Sequence, residues 1–166
     1  MAQMGPYKLD ADRKVILVNR KAGHTYAILE AIEVGIALTG TEIKSVRMAH
    51  VNLSDAYVEI RADGFWLVNA HVAPYDPASR FNHDQLRPRR LLLHGSQIRK
   101  FGAKVKEKGC TLVPLVLYWS DSGHVKVWLG LCKGKHSFEK KDALVERDVN
   151  REQQRAVKAH GRGDDE

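Results

Sequence analysis

Tyr26–Arg47 reads YAILEAIEVGIALTGTEIKSVR. From Tyr26 to Leu38 the residues alternate: Tyr26, Ile28, Ile32, Val34, Ile36 and Leu38 fall on one face, Ala27, Ala31, Gly35 and Ala37 on the other. A period of two over that length predicts a β-strand. Small residues on the second face predict close packing there, or a bend of the kind barrel strands make. The period then changes. Thr39 and Glu42 have capping-box spacing, in which the threonine oxygen accepts from the third helical amide and the glutamate accepts from the cap amide. Ile43 and Val46 lie one turn apart and face inward, so a helix is predicted over 39–50. Glu42, Lys44 and Arg47 remain as its polar groups. Residue type leaves Glu42 two readings, a cap only or a carboxylate aimed at a ligand's donors.

Upstream, Lys14–Val18 predicts a first strand, and Asn19–His24, polar and basic with Gly23, reads as a loop. Downstream, two β-rich runs flank Ala62-Asp63-Gly64, a hairpin signal. Asp76–Pro88 is an irregular polar connection, and Leu91–Leu93 a short apolar run. Ile98, Phe101 and Val105 share one face of a helix over 96–108 that Gly109 terminates, with Lys104, Lys106 and Lys108 on its exposed side. Thr111–Trp119 and His124–Cys132 form a second hairpin, in which Pro114 belongs at a bulge or an edge. The sum is mainly β: a small closed six-stranded barrel of OB-like type, with two or three flanking helices.

The chain divides into a lead-in over 1–13, a barrel domain over 14–132 and a basic tail over 133–166. The tail has helical propensity but too few apolar residues to dock on a core. It is therefore predicted to be disordered when free and helical on binding.

A net charge of +7 over 166 residues points to a polyanionic partner. The two cysteines make no disulfide framework, and no run approaches the ~18 apolar residues of a membrane span, so a cytoplasmic protein is expected. No serine sits in a nucleophile elbow. Cys132 and His136 do not supply the four ligands of a closed zinc site. Gly134-Lys135 is followed by His136, not Ser or Thr, so no phosphate loop is present. No enzyme, metal site or cofactor is predicted.

RNA binding is better supported. Arg80-Phe81-Asn82-His83 combines a guanidinium, two rings able to stack and an amide able to read a base edge. Taken alone, Phe81 serves equally well as an anchor of its loop to the core. Arg87, Arg89 and Arg90 offer phosphate contacts. Asn19, Arg20, Lys21 and His24 form a second polar cluster, which together with Glu42 and Lys44 would make one face.

TGTEIKSVR (39–47), preceded by NRKAGHTY (19–26), resembles the small protein B family, tmRNA-binding proteins of bacterial trans-translation. RFNHDQLRPRRLLLH (80–94), GCTLVPLVLYW (109–119) and GHVKVWLGLCKGK (123–135) fit the same family in the same order. The resemblance implies a six-stranded OB-related barrel. It also implies that Asn19, Lys21, Glu42 and Lys44, with the loop at Arg80–His83, grip the tRNA-like domain of tmRNA. The tail, with Lys133, Lys135, Phe138, Lys140, Lys141, Arg147, Arg151 and Arg155, is implied to enter the decoding centre and empty mRNA channel of a stalled ribosome. Alanyl-tRNA synthetase and elongation factor Tu are implied as indirect partners through the same RNA. Gly23 and Thr25 depart from the basic and aspartate residues usual there. Glu139-Lys140-Lys141 replaces the usual Asp-Lys-Arg, keeping charge but not guanidinium geometry. The competing class is a general single-stranded nucleic-acid-binding barrel.

Overall fold

A computed structural model describes residues 14–135. In order they form β1 (Lys14–Val18), α1 (Arg20–Thr25), β2 (Tyr26–Ile36), α2 (Gly40–Arg47), β3 (Val51–Asn52), β4 (Tyr57–Arg61) and β5 (Gly64–Val68). There follow β6 (His71–Val72), a 3-10 turn (Asp76–Phe81), β7 (Arg89–Leu92), α3 (Gly95–Lys108), β8 (Thr111–Trp119) and β9 (Val125–Gly134).

Seven strands make one antiparallel sheet in the order β1-β8-β9-β2-β7-β5-β4, and β3 pairs separately with β6. The expected closed six-stranded barrel is therefore corrected on both counts. The sheet curls far enough to bring β4 alongside β8, yet no ladder joins them. One edge of β8 is taken by β9 along the strand, and the other by β1 over Val116–Trp119. Among the described residues β1 and β4 are the edges of the sheet. No helix among the described residues is long and apolar enough to cross a membrane.

The alternation in β2 is real but broken once. The register with β9 shifts between Ile28 and Glu30, which leaves Leu29 exposed. Tyr26 and Ile28 consequently pack with Ala22, Val116 and Cys132, whereas Ile32, Val34 and Ile36 join the main core around Phe65, Leu117 and Leu129. Close packing on the small-residue face occurs at Gly35, where an added Cβ would meet the Leu92 side chain at 3.2 Å.

Both hairpins form. β4 and β5 pair through Arg61↔Gly64, with Gly64 at φ 138, a value that favours glycine. Between Pro114 and Val116 the β8–β9 register shifts, so the proline sits at a bulge as expected. α3 buries Phe101 and packs Ile98 and Val105 against the main core, and Gly109 ends it in the left-handed conformation at φ 58. Lys104 does not stand free on its exposed side, because it pairs with Glu30, which also takes Lys100 at 2.7 Å. Cys110 and Cys132 form no disulfide, and burial pushes the Cys132 thiol up to about 12. β9 runs through Gly134, opposite Tyr26, so Lys133 belongs to the sheet and not to the tail.

Candidate nucleic-acid interface

The interface is built on the first turn of α2. Thr39 N–H donates to Glu42 Oε2 at 2.8 Å, the carboxylate half of the predicted cap. The same carboxylate is buried and receives two guanidiniums. Arg87 forks onto it, with Nη2 to Oε2 at 2.7 Å and Nε to Oε1 at 3.2 Å. Arg89 Nε donates to Oε1 at 2.8 Å. Arg89 is buried as well, and its remaining N–H groups reach Ala70 O at 2.6 Å and Gln85 O at 3.2 Å. Burial alone would push the Glu42 carboxyl up. The Arg87 hydrogen bonds, the Thr39 amide and the Arg89 charge outweigh it and hold the group below the ordinary glutamate range. Burial also lowers the Arg89 guanidinium, with the Glu42 charge opposing it.

This network fastens the connection between β6 and β7 to α2. His83 bridges the two sides: Nε2 meets Val72 O at 3.1 Å and Nδ1 meets Thr41 Oγ1 at 2.9 Å. A carbonyl can only accept, so the Nε2 nitrogen carries the proton. Asn82 clamps the 3-10 turn, accepting from Tyr75 N–H at 2.8 Å and donating to Tyr75 O at 2.9 Å. Lys44 Nζ lies 5.1 Å from the centre of the Tyr75 ring. At the end of the turn the Phe81 ring is 76% exposed, and the Arg80 guanidinium lies 5.3 Å from its centre.

The predicted loop over 19–24 is instead helix α1. Asn19 caps it, accepting from Ala22 N–H at 3.2 Å. Its Nδ2 also donates to Leu53 O and to Pro114 O, each at 2.9 Å. The β8 bulge thus supplies an acceptor for a side chain that ties three segments together. Arg20, Lys21 and His24 project outward, and Lys21 meets Asp55 at 2.6 Å. Leu53 follows β3, whose partner β6 supplies the carbonyl that holds His83, so one run of hydrogen bonds links α1 to the Phe81 loop.

The sequence-predicted residues therefore separate. Lys44 stands over Tyr75 at the start of the 3-10 turn, Arg80 and Phe81 face outward at its end, and Arg87 pairs with Glu42. Glu42, Arg89 and Asn19 are buried with their polar atoms engaged by the protein itself. Asn82 and His83 are half-buried and hold the loop. Arg90 points away from Arg89, as neighbours in a strand must, and donates to Asp63 O at 2.9 Å. It lines a separate cleft of about 510 Å³, with Leu92, His94, Gln97 and the Glu33–Lys126 ion pair. Leu92 there is 55% exposed. Lys133 is exposed at the end of β9 and Lys135 follows it; Phe138, Lys140, Lys141, Arg147, Arg151 and Arg155 lie outside the described residues. The role of Arg87 was missed in the sequence, although its spacing of two from Arg89 puts both side chains on one face of an extended segment. Among the described residues no three His, Cys, Asp or Glu side chains are grouped to hold a metal ion.

The family model described as SmpB protein matches residues 16–159. An SsrA-binding protein of Symbiobacterium thermophilum is 48% identical over 155 residues, covering 93% of this chain and 97% of that one. One from a Sulfurihydrogenibium species is 49% identical over 145 residues, covering 87% and 95%. A solved chain from work described as "tmRNA-SmpB: a journey to the center of the bacterial ribosome" superposes with a TM-score of 0.62 at 45% identity, covering 73% of this chain and 85% of that one.

Proposed function

The chain belongs to the SmpB family, and from that premise we propose that it is a non-enzymatic RNA-binding adaptor of trans-translation, gripping the tRNA-like domain of tmRNA and delivering it to stalled ribosomes. The observation that carries this reading is the exposed Arg80–Phe81 pair, held out from the sheet on a loop that is fastened underneath. An exposed ring with a guanidinium beside it suits an unstacked loop base and its phosphate. Lys44 and Arg87 add charge around it, and Arg20, Lys21 and His24 on α1 extend the face. Glu42, Arg89, Asn19, Asn82 and His83 act one step back, as positioning residues. Arg90 belongs to the second cleft and meets RNA from there in this reading.

The curled antiparallel sheet with helices outside it is OB-like in this reading. The tail that follows Lys133 at the end of β9, from Lys135 through Phe138, Lys140, Lys141, Arg147, Arg151 and Arg155, is assigned to the decoding centre and empty mRNA channel. There its cations would neutralise phosphate as it gains order. Alanyl-tRNA synthetase and elongation factor Tu are indirect partners through tmRNA, and the cytoplasm is the compartment.

Binding to the isolated tRNA-like domain, with unstructured RNA of equal length as competitor and across a salt series, tests the reading. Tight binding that resists the competitor, with a shallow salt slope, is expected. Equal affinity for both RNAs with a steep slope would mean a general single-stranded binder.

A further inference from the structure

Between β1 and β3 runs a groove of about 610 Å³, lined by residues 15–21 on one side and 51–54 on the other. Among the described residues each wall is a strand with one partner only, since β1 pairs with β8 and β3 with β6. Asn19 N–H donates to Leu115 O at 2.7 Å, so the amide and carbonyl of Val18, the preceding residue, point away from β8 and toward the groove. The floor is apolar: Ile16, Leu17, Val51 and Leu53 all belong to the main core. Val15 on the rim is 42% exposed. Lys14 and Arg20 stand exposed at the two ends of β1, and neither has a carboxylate partner among the described residues.

We propose that this groove takes an extended peptide from a protein partner, added as a strand along the free edge of β1, with apolar residues alternating inward and an acidic residue at each end. Main-chain hydrogen bonds to an open edge supply affinity, and alternate side-chain sites supply specificity. The ends match in charge, cation against carboxylate. RNA fits less well. No aromatic ring lines the groove for a base to stack on, and Lys21, the remaining cation, is already paired with Asp55. The register shift between Val15 and Leu17 interrupts the β1 edge, so the added strand is short. The inference rests on the edge and the apolar floor of the groove, although Arg20 and Lys21 at its end also belong to the proposed RNA face.

The test is an amide chemical-shift titration of the full chain with the acetylated, amidated heptapeptide Glu-Val-Thr-Val-Thr-Val-Glu. Saturable shifts confined to residues 14–18 and 51–54 are expected. The same peptide N-methylated at alternate residues, which removes the donors of one edge, should lose the effect. Val15→Glu, at an exposed rim position, should weaken binding at least about ten-fold through like charge and lost apolar contact, with an unchanged circular dichroism spectrum. Should that variant misfold, the N-methylated peptide still decides. No shifts at these residues, equal binding of the N-methylated peptide, or tighter binding of oligouridine to the same amides would each overturn the proposal. So would shifts of residues 14–18 on simple dilution of the protein, which would assign the groove to a second copy of the chain.

Discussion

Glu42 is a cap and, at the same time, the carboxylate that pairs with two guanidiniums, one of them wholly enclosed. Glu42→Ala leaves Arg89 buried without its counter-ion, so a loss of about 3–5 kcal/mol is expected in denaturant melts, well beyond the ~1 kcal/mol of a lost cap. The pH dependence has a definite sign. The folded-state pKa of Glu42 is depressed, so its stabilisation is complete above the ordinary glutamate range and is lost as pH falls below that range through the folded value. Glu42→Gln should be less stable at neutral pH and lack this component of the acid loss; a variant with the wild-type acid profile would place the linkage elsewhere. Phe81→Ala is the converse case. Its exposed ring contributes little to the fold, so stability should move by less than about 0.5 kcal/mol. Affinity for the tRNA-like domain should drop by the value of one stacked base, about 1–3 kcal/mol. The cap was legible because Thr39 and Glu42 are three residues apart. The ion network was not, because its cations lie 45 and 47 residues away in sequence and only the sheet brings them to Glu42.

At the scale of elements, long periodic segments were legible and short ones were not. β2, α3 and both hairpins have enough repeats for a period to show. α1 has only six residues and no apolar stripe, so what makes it a helix is tertiary. Asn19 caps it and also holds Leu53 and Pro114, contacts that no local pattern encodes. Asn19→Ala should therefore cost about 1–3 kcal/mol, because a cap goes and two buried carbonyls lose their donor. Amide exchange should quicken through α1 and the β8 bulge before it does in α3; uniform quickening would mean that Asn19 supports the whole sheet. The bulge in β2 was hidden for a different reason. The apolar run continues through Leu29, so composition does not register the change of face that pairing with β9 imposes.

In the molecule as a whole, the strand count and the open edge escaped sequence reading, because a period identifies strands but not their partners. The division of labour is open to a direct check. A chain ending at Lys135 keeps β9 entire, so it should melt like the full chain and bind the tRNA-like domain as tightly, while tagging of stalled nascent chains should fail. Loss of RNA binding on that truncation would mean that the tail also grips tmRNA. The sheet order has a further consequence, for how the protein is made. Among the described strands β1 pairs only with β8, and β2 meets β9 along most of its length, so the first two of these strands wait for the last two. Pairing of such high contact order closes late, and on the ribosome it closes only once Gly134 has left the exit tunnel. Until then the two N-terminal strands travel without the neighbours that cover them. A message broken upstream of the codon for Gly134 yields not a shortened adaptor but an unpaired sheet.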